Sequence, residues 1–290
     1  MTNNKMANLK EIRNRISSVS STMQITSAMK MVSAAKLKKA QDAITAMRPY
    51  ANKLTELLQS LSATLDADSG SKYSTKREIN KVLLVAITSN RGLCGAFNSN
   101  IIKEVTRLTQ SYSNQEVSYL AIGKKANDAF AKTGKLIANK SEVFDDLTFD
   151  NVADIAELLM EKFVEGDFDK IEIVYNKFKN AATQIVMTEQ FLPIVPVESH
   201  ASVNLDYIFE PSKVEIVEQL IPKSLKTQLY KSVRDSFASE HGARMTAMHK
   251  ATDNATELRD QLKLTYNKAR QAAITNEILE IVGGAEALNN

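Results

Sequence analysis

Between Leu9 and Leu65 apolar residues return in a seven-residue repeat, in a stretch with no glycine and one proline. One row of the repeat is Leu9, Ile16, Met23, Lys30, Leu37, Ile44, Ala51, Leu58 and Leu65. The other, three residues on each time, is Ile12, Val19, Thr26, Ser33, Ala40, Met47, Leu54 and Leu61. Only Thr26, Lys30 and Ser33 break the pattern, and they are neighbours within it. A period of 3.5 residues held this long predicts a helix packed along a partner helix in a left-handed coil. Such a rod is roughly 85 Å long. That is more than a compact domain needs, and its apolar seam requires a second rod.

The end of the chain supplies one. From Lys223 to about Val282 the only glycine is Gly242, and Met245, Met248, Thr252, Ala255, Arg259, Leu262, Tyr266, Ala269 and Ala273 step by threes and fours. The stripe then rotates to Ile274, Ile278, Ile281, Ala285 and Leu288. Ser212 with Glu215 three residues on has the spacing of a capping box, which places the helix start there. Pro49 and Pro222 are expected to bend or briefly break the two rods, since proline removes a helical hydrogen bond.

The middle of the chain alternates. Lys81–Thr88, Val117–Ile122, Lys170–Tyr175 and Thr183–Phe191 are β-branched apolar runs that predict strands. Between them, Ala96–Gln110, Lys124 to about Lys132 and Val152–Val164 have helical spacing. Strand–helix alternation at this spacing predicts a small α/β domain with a largely parallel sheet. Asp66–Lys72 is expected to be a loop, and Asp206–Pro211 an extended piece. The organisation expected is a discontinuous shaft of residues 1–66 and 212–290, a long antiparallel two-helix coiled coil, with an α/β domain inserted at 67–211.

Charge is uneven along these parts. Residues 1–66 hold ten basic and four acidic side chains, residues 67–211 sixteen and twenty, and residues 212–290 eleven and ten. The basic excess sits on the first rod, with Lys30, Lys36, Lys38 and Lys39 clustered at its weak point. It suits an acidic partner, either nucleic acid or an acidic protein loop, or is simply a solvated face. The first rod lacks the interleaved aromatics that single-strand binding uses.

Few residues offer chemistry. Cys94 is the sole cysteine, which excludes an internal disulfide, fits a reducing compartment, and is read as a small buried side chain. His200, His241 and His249 make no metal set; the last two are two helical turns apart with no third ligand in register. The segment from Thr88 to Gly95 follows the first strand, where nucleotide-binding α/β folds hold phosphate. It matches neither the dinucleotide fingerprint nor the phosphate-loop pattern, so a tight strand-to-helix turn is expected. No acid–base or nucleophile constellation appears, no cofactor is implied, and the chain is read as no enzyme by itself. No apolar run is long enough to span a bilayer, and residues 1–10 lack the character of a secretory or organelle leader.

Four segments together are specific. They are MQITSAMKMVSAAKLKKAQ from Met23, TSNRGLCGAFN from Thr88, ASEHGARMTAMHKATDNATEL from Ala238 and YNKARQAAITNEILEIVGGAEAL from Tyr266. In order and spacing they resemble the gamma subunit of the F-type ATP synthase, along essentially the whole chain. The resemblance implies a Rossmann-like insert and a central-stalk rotor standing in a ring of three alpha and three beta subunits. It also implies a foot that meets the epsilon subunit and the c-subunit ring, with catalysis on the beta subunits. On this resemblance Met29, Lys30, Arg244, Gln271 and Thr275 correspond to contacts with the catalytic head, and Tyr207 and Glu210 to the foot. It further implies a peripheral place on the cytoplasmic face of a bacterial inner membrane and no role with nucleic acid. Gly242 stands where the family pattern usually has alanine, which predicts a locally softer helix.

Overall fold

A computed structural model describes residues 2–62, 72–74, 77–194 and 213–288. The first rod is one helix, α1, over Thr2–Ser62. The strands and helices of the middle follow as β1 (Lys81–Ile87), α2 (Phe97–Ser111), β2 (Glu116–Ile122), α3 (Lys124–Phe130), β3 (Leu136–Asn139), α4 (Phe149–Val164), β4 (Lys170–Phe178) and β5 (Gln184–Leu192). The last helix, α5, runs over Lys213–Leu288. Both prolines lie inside helices: α1 continues through Pro49 and α5 through Pro222, so neither rod breaks there. The side chains of Ala51 and Leu54, just past Pro49, are buried, and that packing offsets the lost hydrogen bond. Asp66–Ser71, Asp206–Pro211 and Ser212 lie outside the described residues.

The chain divides into two compact units, Met1–Val32 with Met245–Asn290, and Ser33–Arg244. The first is an antiparallel helix pair. Arg13 donates to the Tyr266 hydroxyl at 2.7 Å, the Thr256 hydroxyl meets the Met23 sulfur at 3.3 Å, and Thr26 meets Thr252 at 2.8 Å. Positions climb on one helix as they descend on the other. The repeat explains the pairing: Leu9, Ile12, Ile16, Val19, Met23, Thr26 and Lys30 are all sheltered, as are Met245 through Ala273 of the facing stripe. Beyond it the rotated stripe is open, with Ile274, Ile278 and Ile281 exposed.

The second unit holds a five-stranded sheet in the order β3-β2-β1-β4-β5. The first four strands are parallel, with Val82 level with Val117 and Lys170, and β5 returns antiparallel to β4. Strand β3 has no counterpart among the expected elements. It is four residues long with alternate half-buried positions, too short to show a period. The β1 side chains alternate between two cores. Leu83, Val85 and Ile87 pack with α4 and with Ile221, Leu225, Leu229 and Val233 of α5. Val82, Leu84 and Ala86 pack with α2 and α3.

Candidate functional site

Strand β1 is the point where the sheet order reverses, because β2 lies on one side of it and β4 on the other. Open α/β sheets bind ligands in the crevice at that point, beyond the strand C-termini. Here the crevice is filled by the chain itself. The Thr88 N–H is bonded to the Ile122 carbonyl at 2.8 Å, and the Thr88 hydroxyl accepts from the Ala126 N–H at 2.8 Å. Asn90 caps the start of α3 by accepting from the Lys124 N–H at 3.0 Å. Asn98 accepts from the Ser89 N–H at 2.9 Å and donates to the Cys94 sulfur at 3.2 Å. These bonds use the donors a phosphate would need. Gly123 makes the turn possible: its φ is 115°, and an added Cβ would lie 2.2 Å from the Thr88 carbonyl oxygen.

The other wall is α5. Cys94 packs with Phe97 and with Ala243 of α5, and burial pushes its thiol above the usual range, so it is no ready nucleophile. Ser239 donates to the Asn176 carbonyl at 2.9 Å, and the Asn176 side-chain amide donates to the Phe97 carbonyl at 3.1 Å. Gly242 faces the β4–β5 turn, where an added Cβ would sit 3.1 Å from the Ala181 Cα. The glycine is therefore packed, and it permits a close approach of helix and turn that a side chain would prevent.

Arg244 is 7% exposed. Its Nη1 donates to Glu240 Oε1 at 2.6 Å, and its Nη2 to the carbonyl oxygens of Arg91 and Gly92 at 3.0 and 3.2 Å. Burial pushes the Glu240 carboxyl up, against the opposing pull of Arg244, Lys36 and Arg91. Burial first, then the charges of Arg244 and Lys36, pushes His241 down to about 3. That imidazole is neutral at pH 7 and stands edge-on to Phe237, 4.5 Å between ring centres. Among the described residues no group of His, Cys, Asp or Glu side chains could hold a metal ion. No described helix is long and apolar enough to cross a membrane.

The residues singled out by resemblance fall in both units. Met29 and Lys30 are half-buried on α1 in the helix pair. Gln271 and Thr275 are exposed on α5 in the same unit, roughly 35 Å further along the pair. Arg244 belongs to the α/β unit and bonds within it. Tyr207, Glu210 and His200 lie outside the described residues, and His249 is exposed beside Asp253. Sequence reading missed Glu240, whose four-residue spacing from Arg244 signals a helical ion pair. It also missed Ser239, Asn98 and Asn176, whose partners lie too far off in sequence or are backbone atoms.

Residues 8–288 match the ATP synthase family. The ATP synthase gamma chain of Flavobacterium psychrophilum is 76% identical, covering 98% of this chain and 99% of its own. That of Cytophaga hutchinsonii is 54% identical over 98% of this chain and 100% of its own. Among solved structures, the central stalk and c-ring of the Tetrahymena thermophila mitochondrial ATP synthase aligns with a TM-score of 0.59 at 26% identity. It covers 78% of this chain and 99% of its own. The rotor of the Euglena gracilis enzyme has the same fold, with a TM-score of 0.66 at 24% identity over 92% and 99%.

Proposed function

This chain belongs to the gamma-chain family of ATP synthases, the non-catalytic central-stalk rotor subunits of that machine, and we propose how its parts divide the work. The helix pair is the shaft that enters a head of three alpha and three beta subunits. The α/β domain and the foot around Tyr207 and Glu210 meet the epsilon subunit and the c-subunit ring. In mechanical terms the shaft comprises residues 1–66 and 212–290, and the insert residues 67–211. The whole sits peripherally on the cytoplasmic face of a bacterial inner membrane, where ion flow turns ring and shaft together.

One observation carries the reading of the shaft. The two helices shelter their heptad seam against each other, yet Ile278, Leu279, Ile281 and Val282 at the far end of α5 are all exposed, Ile281 at 72%. Large exposed apolar side chains in a run mark a surface that a partner covers. A rotor needs an apolar seat without directional bonds at its tip, because hydrogen bonds there would hold one angle. Met29, Lys30, Gln271 and Thr275 then contact the head at two levels, with Lys30 and its basic neighbours facing acidic loops of the beta subunits. One asymmetric chain inside a three-fold ring presents a different face to each catalytic site, and its differential contacts shift each site's populations in turn.

Native mass spectrometry of the chain co-expressed with alpha and beta subunits tests this. The expected assembly holds one copy per three alpha and three beta. Replacing Ile278, Leu279 and Ile281 together with serine should weaken its retention. A complex with equal numbers of all three chains, or full retention of the triple variant, contradicts the assignment.

A further inference from the structure

We propose that Arg244 is a positioning residue that carries torque inside the chain, by fastening α5 to the loop after β1. This rests on the rotor reading and names a joint within it.

The seam between α5 and the α/β core changes character along the helix. Ile221, Leu225, Leu229 and Val233 interlock with a large apolar core. Past them the buried residues of α5 mix small ones, Ser236, Ser239, Gly242 and Ala243, with the larger Asp235, Glu240 and His241. Where Ser239, Gly242 and Ala243 meet Asn176, Ala181 and Cys94 the helix approaches closely but offers few ridges to resist sliding. Arg244 closes this stretch with directional bonds. Two guanidinium donors reach the Arg91 and Gly92 carbonyls on the loop, and a third is anchored by Glu240 one turn back on the same helix. Charge-assisted bonds in a fixed fork are the strong class of hydrogen bond, and lysine cannot reproduce the fork.

The loop bears a mark of being held. Leu93, next after the pinned carbonyls, has φ 61°, a left-handed conformation that is strained for a non-glycine residue. Its side chain is exposed, so its own packing does not explain the conformation. The Glu240 carboxylate that anchors the latch also lies in the field of Lys36 on α1 and of Arg91 on the loop. Exposed charges on α1 and on the loop thus surround the buried pair of Arg244 with Glu240. Force applied to the α/β domain reaches α5 here through bonds that resist displacement.

The test uses the assembled synthase in inverted membrane vesicles, reading protons pumped per ATP hydrolysed. Arg244→Met and Arg244→Lys should each lower that ratio about threefold or more, in keeping with the loss of charge-assisted bonds. A covalent fastening across the same seam should restore it. In an Arg244→Met background that keeps the native Cys94, Ala243→Cys, at the position that packs with Cys94 across the seam, should raise the ratio when oxidised and lose the gain on reduction. A normal ratio in both Arg244 variants overturns the latch. So does a fall that the oxidised disulfide fails to reverse, which would put the role of Arg244 outside this seam. Failure of the rotor reading is separate: vesicles carrying the wild-type chain would then pump no more protons than vesicles lacking it.

Discussion

His241 is the titratable group that couples the stability of the α/β unit to pH most simply. It is neutral in the folded state because burial and the nearby Arg244 and Lys36 charges hold its pKa at about 3, against 6.5 when free. The unfolded chain therefore binds the extra proton between those values. Stability from this group is fully present above about 6.5 and is lost as pH falls, by at most about 1.4 kcal/mol per pH unit. Glu240 acts in the opposite sense, because its raised carboxyl favours the folded state at lower pH. His241→Phe removes the histidine contribution and keeps the aromatic contact with Phe237. Thermal unfolding from pH about 6.5 to about 4.5 should cost the wild type more than the variant; equal slopes would show that His241 does not titrate as described. At this scale the sequence was a partial guide. Cys94 is buried as composition suggested, but Gly242 is explained by Ala181, a contact no local pattern announces.

Among the elements, the paired helices were the most legible. A seven-residue repeat is a statement about one face, and every described member of both rows on α1 is buried or half-buried. Even the breaks have a place in the seam. Thr26 and Thr252 share a hydrogen bond across it: one hydroxyl donates across the seam, and the one that accepts donates its own proton to the carbonyl of its helix, Met23 for Thr26 or Met248 for Thr252. Losing one hydroxyl is therefore cheap. Thr26→Val and Thr252→Val should each cost about 0.5–1 kcal/mol, and the double variant close to nothing, because two matched apolar groups replace a satisfied polar pair. Urea unfolding followed by far-ultraviolet circular dichroism checks this, and strictly additive losses would contradict a shared bond. The four long strands were legible from β-branched runs, whereas β3 was not, being held by pairing with β2 rather than by its own apolar content. Of the bend or brief break expected at each proline, the break does not occur, since packing on either side keeps both helices continuous. The Arg244 latch was invisible because its acceptors are backbone oxygens 152 and 153 residues away, and backbone atoms leave no trace in residue type.

For the molecule as a whole, function follows from what is paired and what is left open. The helix pair satisfies its own seam but not its tip, and the crevice of the α/β unit is closed by its own helix. Such a chain presents a self-paired helix seam and an exposed apolar end. Those properties suit a part that moves within a larger machine and does no chemistry itself. Direct observation of rotation tests this most sharply. With the head fixed to a surface and a bead attached through Lys132→Cys, an exposed position in a chain whose native cysteine is buried, ATP should drive the bead in one direction, pausing at every third of a turn. A bead that stays still, or only jitters, while the same complexes hydrolyse ATP would contradict the account.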